Sequence, residues 1–459
     1  MENRLIKLIQ KYETNGPRYT SYPPAPIFKP DFTAAQYQSE ILQVEKRSEG
    51  DDVSLYFHIP FCDTLCYFCG CTTMITKNRE HLDEYLVHLK KEIDLLAPLF
   101  HQQRKIVQLH WGGGTPTYLS PKQIQELGTH IMKSFQYDVD AEISVEVDPR
   151  ELTFSHLHAL RDVGFNRISL GVQDFNPNVQ RAVNRNQSEF ITRQAITWSR
   201  ELGFSSLNVD LIYGLPLQTV VSFSETLDKL IEISPERIAV YNFAFVPWMK
   251  KQQKLIHVED LPSPETKLGI LTTTIDKLTD AGYVYIGMDH FAKPDDELTL
   301  AQQSKTLRRN FQGYSTRAGS DLYGLGMSSI SHFGTSYAQN AKTLPEYYQA
   351  ISNGEFATHL GYKMTKDDEI RKHVIMKLMC DLSLQKSEVE SQFGISFDAY
   401  FSSSLTKLDS LIEDGLLVAT PDSLIITNDG RLFLRNIAMC FDAYLSEKSK
   451  QQPLYSKTV

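Results

Sequence analysis

The stretch VSLYFHIPFCDTLCYFCGC, Val53 to Cys71, decides how the rest of the chain is read. It opens on a short apolar and aromatic run of the kind that forms strands. After Pro60, four cysteines fall within ten positions: Cys62, Cys66, Cys69 and Cys71. Cysteine thiolates are the usual ligands of iron–sulfur clusters, and gaps of three and two residues let one loop wrap three corners of a [4Fe–4S] cube. The fourth iron is then open to a substrate, which separates a reactive metal site from a structural one. Pro60 and Gly70 suit a loop that turns sharply. The same cysteines can also hold structural zinc or form an inert thiol group, although zinc sites usually draw their ligands from two separated pairs.

Working outward, the run VSLYFHI is the first of six. KIVQLHW, EISVEV, RISLGV, LNVDLIY and RIAVYNF follow, with helical patterns such as HLDEYLVHLKKEIDLL and SFSETLDKLIEI between them. Strands alternating with helices of this length predict βαβ units and a parallel sheet. Six units are too few for a closed eight-unit barrel, so the expected fold is α/β, an open (β/α)6 TIM-like barrel. Each run ends in polar or glycine-rich residues: His58 and the cysteines, Gly112-Gly113-Gly114-Thr115, Glu146 with Asp148, Gln173 with Asp174, Asp210 with Tyr213, then Asn242. In parallel α/β folds the crevice at the carboxyl ends of the strands carries the chemistry. The glycine run lets a ligand approach the backbone closely, and a carboxylate at Glu146 can accept bonds from ribose hydroxyls.

Residues 1–50 are rich in proline and tyrosine, with GPRYTSYPPAP at 16–26, and read as an ordered arm or a flexible tail. Residues 51–360 form the barrel and its extension. From 361 to 459 helical patterns dominate (DEIRKHVIMKLMCDL, FSSSLTKLDSLIEDG), followed by short strands LLVAT and SLIITN and a last helix over GRLFLRNIAMCFDAYL. That order predicts a helical, winged-helix-like cap domain. No Lys/Arg-rich face marks it for nucleic acid, and a net charge of −9 argues the same way. The polar N-terminus lacks the apolar core of a signal peptide, and no apolar run is long enough to span a bilayer. Clustered thiols without a spread disulfide framework suit a cytoplasmic protein.

The CxxxCxxC spacing, with Phe68 before its last cysteine, resembles the signature of the radical S-adenosylmethionine (radical SAM) enzymes. More of the chain resembles one family within them, the oxygen-independent coproporphyrinogen III oxidases. The matching segments are PRYTSYP (17–23), SLYFHIPFC (54–62), CYFCGC (66–71), QLHWGGGTPTYL (108–119), EISVEVDPRE (142–151), FNRISLGVQDFN (165–176), NVDLIYGLP (208–216), GMDHFA (287–292) and NFQGY (310–314). The resemblance implies a [4Fe–4S] cluster on Cys62, Cys66 and Cys69, and two S-adenosylmethionine molecules. One electron from the cluster cleaves the cofactor to a 5′-deoxyadenosyl radical, which abstracts hydrogen from a propionate β-carbon. Two propionates of coproporphyrinogen III then become vinyls, giving protoporphyrinogen IX for haem synthesis.

Carried over residue by residue, Tyr56, Gly113, Glu146 and Ile330 fall around the cluster-bound cofactor. Phe68, Gly114, Thr115, Gln173, Arg185, Asp210 and Ala244 fall around the second molecule. Tyr56 and Cys71 are the catalytic candidates. Arg18, Tyr19 and Tyr22 in the arm, with Arg308 and Arg309, are candidates for a flexible tetracarboxylate macrocycle. An electron donor and acceptor are required, and a monomer is expected. The resemblance leaves two relatives as rivals, a radical SAM haem chaperone and a haem-degrading methyltransferase. The arm and Cys71 favour the oxidase.

Overall fold

The structure is a computed structural model, and it describes residues 2–46, 52–317, 319–445 and 455–458. Six strands carry the barrel: β1 (Val53–Ile59), β2 (Ile106–Gly113), β3 (Tyr137–Val147), β4 (Arg167–Gln173), β5 (Ser206–Tyr213) and β6 (Arg237–Asn242). Each pairs in parallel with the next, as the alternation of strand and helix predicts. The sheet continues past both ends. Asp321–Leu325 pairs in parallel with β1 and leads through Ile330–Phe333 and Ser336–Asn340 to Thr358–Lys363. On the other side His290–Ala292 pairs antiparallel with β6, and Val284–Gly287 closes a sheet of twelve strands. The barrel is therefore open.

Alternation along the strands explains both the core and the site. In β5, Leu207, Val209, Leu211 and Tyr213 are buried, while Asn208, Asp210 and Ile212 between them are half-buried. In β4, Ile168, Leu170 and Val172 are buried, and Ser169, Gly171 and Gln173 face the other way. The apolar set packs under the helices, and the polar set points into the barrel. The helix Glu80–Leu96 shows the matching pattern, burying Leu82, Tyr85, Leu86, Leu89, Ile93 and Leu96. Each such aliphatic side chain contributes about 1.5–3 kcal/mol.

That helix also fixes part of the site. Glu92, buried within it, accepts from Gly326 N (2.7 Å), Asn340 Nδ2 (2.6 Å) and Tyr347 Oη (2.7 Å). Tyr85 Oη donates to His58 O (2.6 Å) and accepts from Met327 N (3.1 Å). Gly326 is held at φ +91°, where a Cβ would meet Tyr85 Oη at 2.3 Å. Only glycine fits this approach, and it starts the turn that brings Ser328, Ser329 and Ile330 to the barrel mouth.

The C-terminal region has the expected order. Helices Lys366–Asp381, Lys386–Phe393 and Ser402–Glu413 are joined to a three-stranded wing of Ser383–Gln385, Ser423–Ile426 and Leu417–Ala419. One expectation is corrected and one open alternative is decided. The last segment is not one helix: Asp429–Phe433 is a 3-10 turn, followed by a six-residue helix, Leu434–Met439. The cause is tertiary, because Arg435 turns inward and donates to Pro17 O (3.0 Å) and Lys457 O (2.8 Å). Of the two readings of the N-terminal segment, the ordered one holds. It contains helices Glu2–Tyr12 and Ala34–Glu45. Leu5, Leu8 and Ile9 of the first join the apolar cluster of the C-terminal domain, with Leu378, Leu408, Leu411 and Phe433. Among the described residues, no helix is long and apolar enough to cross a membrane.

Candidate active site

The cysteines lie on the loop after β1. A short parallel pairing of Phe61–Cys62 with Met74–Ile75 closes its base. Its backbone is then held from two other loops. Tyr67 N donates to Val183 O (3.0 Å) and Asn184 Nδ2 to Leu65 O (2.8 Å). From the segment after β6, Gln252 Nε2 donates to Cys69 O (2.6 Å), Gln253 Nε2 to Phe68 O (3.1 Å) and Lys250 Nζ to Cys71 O (3.1 Å). Sequence reasoning missed these supports, since nothing local in Lys250, Gln252 or Gln253 marks a loop-clamping role.

Cys62, Cys66 and Cys69 line one cavity of about 260 Å³, together with Cys71, Phe68, Gly113, Gly114, Thr115, Glu146, Asp148, Arg150, Gln173, Arg185 and Asp210. Among the described residues no three His, Cys, Asp or Glu side chains converge closely enough to hold a single metal ion. Thiols spread around a cavity suit a cluster, which is gripped at its corners, better than one zinc ion. The charges fit too. Arg150 Nη2 and Arg185 Nη1 lie 3.4 Å and 3.6 Å from Cys66 Sγ, where they can balance the negative charge of thiolate ligands. Both guanidiniums also bind Asp148, at 2.6 Å and 3.0 Å. Burial opposes the charge on Asp148, but Arg185 and Arg150 prevail and hold its carboxyl at about 2. Two buried polar atoms on this wall lack a protein partner, Gln173 Oε1 and Arg185 Nε. A polar ligand would satisfy them.

The thiols are not equivalent. Burial pushes Cys62 up to about 12, although Thr115 Oγ1 lies 3.5 Å from its sulfur. The Cys71 thiol, hydrogen-bonded to Cys69, holds Cys69 down at about 6. Cys71 itself is raised by that same bond. It is solvent-exposed yet sits where two cavities meet.

The second cavity, about 470 Å³, is lined by Tyr56, His58, Cys71, His110, Gly113, Glu146, Gln312 and Ile330, among others. Cys71, Gly113 and Glu146 line both. His58 Nε2 donates to Thr72 O (2.9 Å), so its Nδ1 accepts from Tyr56 Oη (3.0 Å). Burial lowers the pKa of His58 and keeps this neutral tautomer. Gly113, at φ +110°, leaves room for that ring: a Cβ there would stand 2.4 Å from His58 Nδ1. Glu146 accepts from Gly113 N (3.1 Å) and His110 Nε2 (3.3 Å). Burial works against its charge, but His110 and Gly113 bring its pKa below the ordinary value. Asp210 differs. Burial raises it to about 6 despite bonds from Ser169 Oγ (2.9 Å) and Asn208 Nδ2 (2.8 Å).

The two residue groups expected around two cofactor molecules therefore fall on two adjoining cavities. Tyr56, Gly113, Glu146 and Ile330 all line the larger. Phe68, Gly114, Thr115, Gln173, Arg185 and Asp210 line the smaller. Ala244 lines neither; its carbonyl accepts from Gln253 Nε2 (3.0 Å), which ties it to the back of the cysteine loop. His110 was not anticipated, although it stands beside Tyr56 in register and stacks on it at 6.0 Å.

The arm residues do not reach these cavities. Tyr19 and Tyr22 are fully buried; Tyr19 Oη donates to Asp442 (2.9 Å), and Tyr22 Oη accepts from Ala443 N (3.0 Å). Arg18 is paired with Asp289 (2.9 Å) and donates to Asn242 O (3.1 Å). These three residues stitch the N-terminal segment to the C-terminal domain and the end of β6. Arg308 and Arg309 stand on the hairpin Arg308–Asn310 and Gly313–Ser315, beside a third chamber.

Residues 56–230 match the family model of the radical SAM superfamily, and residues 364–433 match that of the HemN C-terminal domain. Relatives of Salmonella typhimurium and Synechocystis sp. described as oxygen-independent coproporphyrinogen III oxidases are each 48% identical to this chain. The alignments cover 97% and 99% of this chain, and 97% of each relative. A Helicobacter pylori relative of the same description is 42% identical over 98% of both chains. The solved structure of coproporphyrinogen III oxidase (HemN) from Escherichia coli, described as a radical SAM enzyme, superposes with a TM-score of 0.91. It is 48% identical and covers 96% of this chain and 99% of its own.

Proposed function

Since the chain belongs to the oxygen-independent coproporphyrinogen III oxidases of the radical SAM superfamily, we propose that it converts coproporphyrinogen III to protoporphyrinogen IX at the mouth of its open barrel. The observation that carries this reading is the pair of joined cavities, one ringed by the three thiols and the other by Tyr56, His110, Glu146 and Ile330. Cys62, Cys66 and Cys69 are assigned to a [4Fe–4S] cluster. One S-adenosylmethionine is assigned to Tyr56, Gly113, Glu146 and Ile330 on the larger cavity, and a second to Phe68, Gly114, Thr115, Gln173, Arg185 and Asp210 on the smaller. Bound there, cluster and cofactor supply one-electron cleavage of a sulfonium and the hydrogen abstraction that follows.

The protein's own groups bind, orient and exclude water. Glu146, held charged by His110 and Gly113, is placed for ribose hydroxyls. Arg185, with Nε free of protein partners, is placed for a cofactor carboxylate. Asp210 is placed for an ammonium or ribose. Tyr56 Oη, fixed by His58 Nδ1, faces the larger cavity, where the reacting propionate would lie. For each propionate, a hydrogen atom leaves the β-carbon, carbon dioxide leaves, and the remaining electron passes to an external acceptor.

The test is anaerobic. Reconstituted protein receives a reductant, S-adenosylmethionine and coproporphyrinogen III, with vinyl product and 5′-deoxyadenosine quantified. Cofactor cleavage without vinyl product, or haem binding in place of porphyrinogen turnover, would defeat this reading in favour of the chaperone or the methyltransferase.

A further inference from the structure

A third chamber, about 530 Å³, lies between the outer edge of the sheet and the C-terminal domain. Five cations line it (Arg308, Arg309, Arg317, Lys372 and Lys377) against two carboxylates, Asp321 and Glu369. This excess stands out in a chain of net charge −9. The carboxylates are already engaged. Asp321 binds Arg104 (2.7 Å) and Gly334 N (2.8 Å), and Glu369 lies 3.6 Å from Lys366. Lys377 is likewise engaged, by Asp381 and Glu388.

The other cations lack such partners. Arg309 is 8% exposed, and its Nη1 has no hydrogen-bond acceptor. Arg317 Nε and His373 Nε2 are in the same position. Lys372 Nζ donates to His332 Nε2 (2.6 Å) and lies 5.2 Å from the Tyr337 ring. Among the described residues no carboxylate pairs with it. Burial pushes its ammonium down to about 7, as happens when a charge is enclosed without a counterion. Buried donors left unmatched by the protein are costly, and an anionic ligand would match them.

The chamber lies next to the reaction cavity. Phe311 and Leu322 line both, so the two spaces adjoin across these side chains. Resting on the proposed function, the substrate is a macrocycle bearing four propionates, two of which survive the reaction. While one propionate lies near Tyr56, those on the far side of the ring must lie elsewhere.

We propose that this chamber is the anchor for the substrate's unreacted carboxylates, with Arg309, Arg317 and Lys372 as the binding residues, Arg308 at its exposed rim and His332 positioning Lys372. Phe311 and Leu322 form the threshold over which the ring lies. The site selects a polycarboxylate by charge and leaves the reacting arm to the cofactor cavity.

The test measures binding without turnover. Coproporphyrin III, the oxidised and fluorescent form of the substrate, and its tetramethyl ester are titrated into the full cluster-loaded chain. The free acid should bind at least roughly tenfold more tightly than the ester. Lys372→Met and Arg309→Gln should abolish that preference, and Lys372→Arg should retain it. Arg308→Gln, at an exposed position with little effect on folding, should lower it about threefold. Equal affinity for acid and ester in the native chain, or an unchanged preference in Lys372→Met and Arg308→Gln, overturns the proposal. A native chain that prefers the acid yet makes no vinyl product contradicts the proposed function and leaves the anchor supported.

Discussion

The cysteine loop separates the three thiols assigned to the cluster from their neighbour by direction. Cys62, Cys66 and Cys69 face the smaller cavity, and Cys71 lies at its junction with the larger. Replacing any of the first three by serine should therefore lose bound iron, whereas Cys71→Ser should keep it and impair turnover; iron per chain after anaerobic reconstitution decides. Asp210 offers a pH test. Burial raises it to about 6, so it is neutral below that value and charged above. Pairing with a cationic cofactor then strengthens as pH rises through about 6. Asp210→Asn should flatten the rise, read by equilibrium dialysis of S-adenosylmethionine at about pH 5 and about pH 7.5. Much of this site was legible in strand alternation, because Ser169 and Gln173 of β4 and Asn208 and Asp210 of β5 fall at every second position on the face the barrel needs wet. His110, on the same inward face, carried that signal too. The clamp from Lys250, Gln252 and Gln253 had none, since hydrogen bonds to a distant backbone leave no local pattern.

Among the elements, the helix Glu80–Leu96 was readable from its apolar spacing, and the C-terminal wing from its order of helices and strands. The first helix carried a similar spacing in Leu5, Leu8, Ile9 and Tyr12, masked by the proline-rich stretch that follows. It belongs to the C-terminal domain, where Tyr12 Oη and Lys11 Nζ both bind Asp414, at 2.5 Å and 2.6 Å. Leu8→Ala should accordingly destabilise that domain by about 2–5 kcal/mol in urea unfolding. Deleting residues 1–30 should spare the barrel's cysteine loop but cost both turnover and the C-terminal domain's stability. Thr365 caps Lys366–Asp381 in a reciprocal box with Asp368, and Thr365→Ala should cost about 1 kcal/mol. The final segment could not be read correctly, because its helical pattern loses to the inward turn of Arg435.

At the scale of the whole molecule, the core holds two large apolar clusters, one under the barrel helices and the other shared by the first helix and the C-terminal domain. A negative chain with a positive interior chamber should draw in a tetracarboxylate by charge. Raising monovalent salt from about 0.05 M to about 0.5 M should therefore increase KM for coproporphyrinogen III severalfold and leave that for S-adenosylmethionine within about twofold. The embedding of Glu2–Tyr12 among Leu408, Leu411 and Phe433 also sets a timetable. On the ribosome the barrel strands through Asn242 emerge roughly 170 to 190 residues before those partners, a delay on the order of tens of seconds. Throughout that interval the opening residues wait without a dock, so the N-terminal helix is the last part of the barrel's surroundings to be fastened although it is the first made.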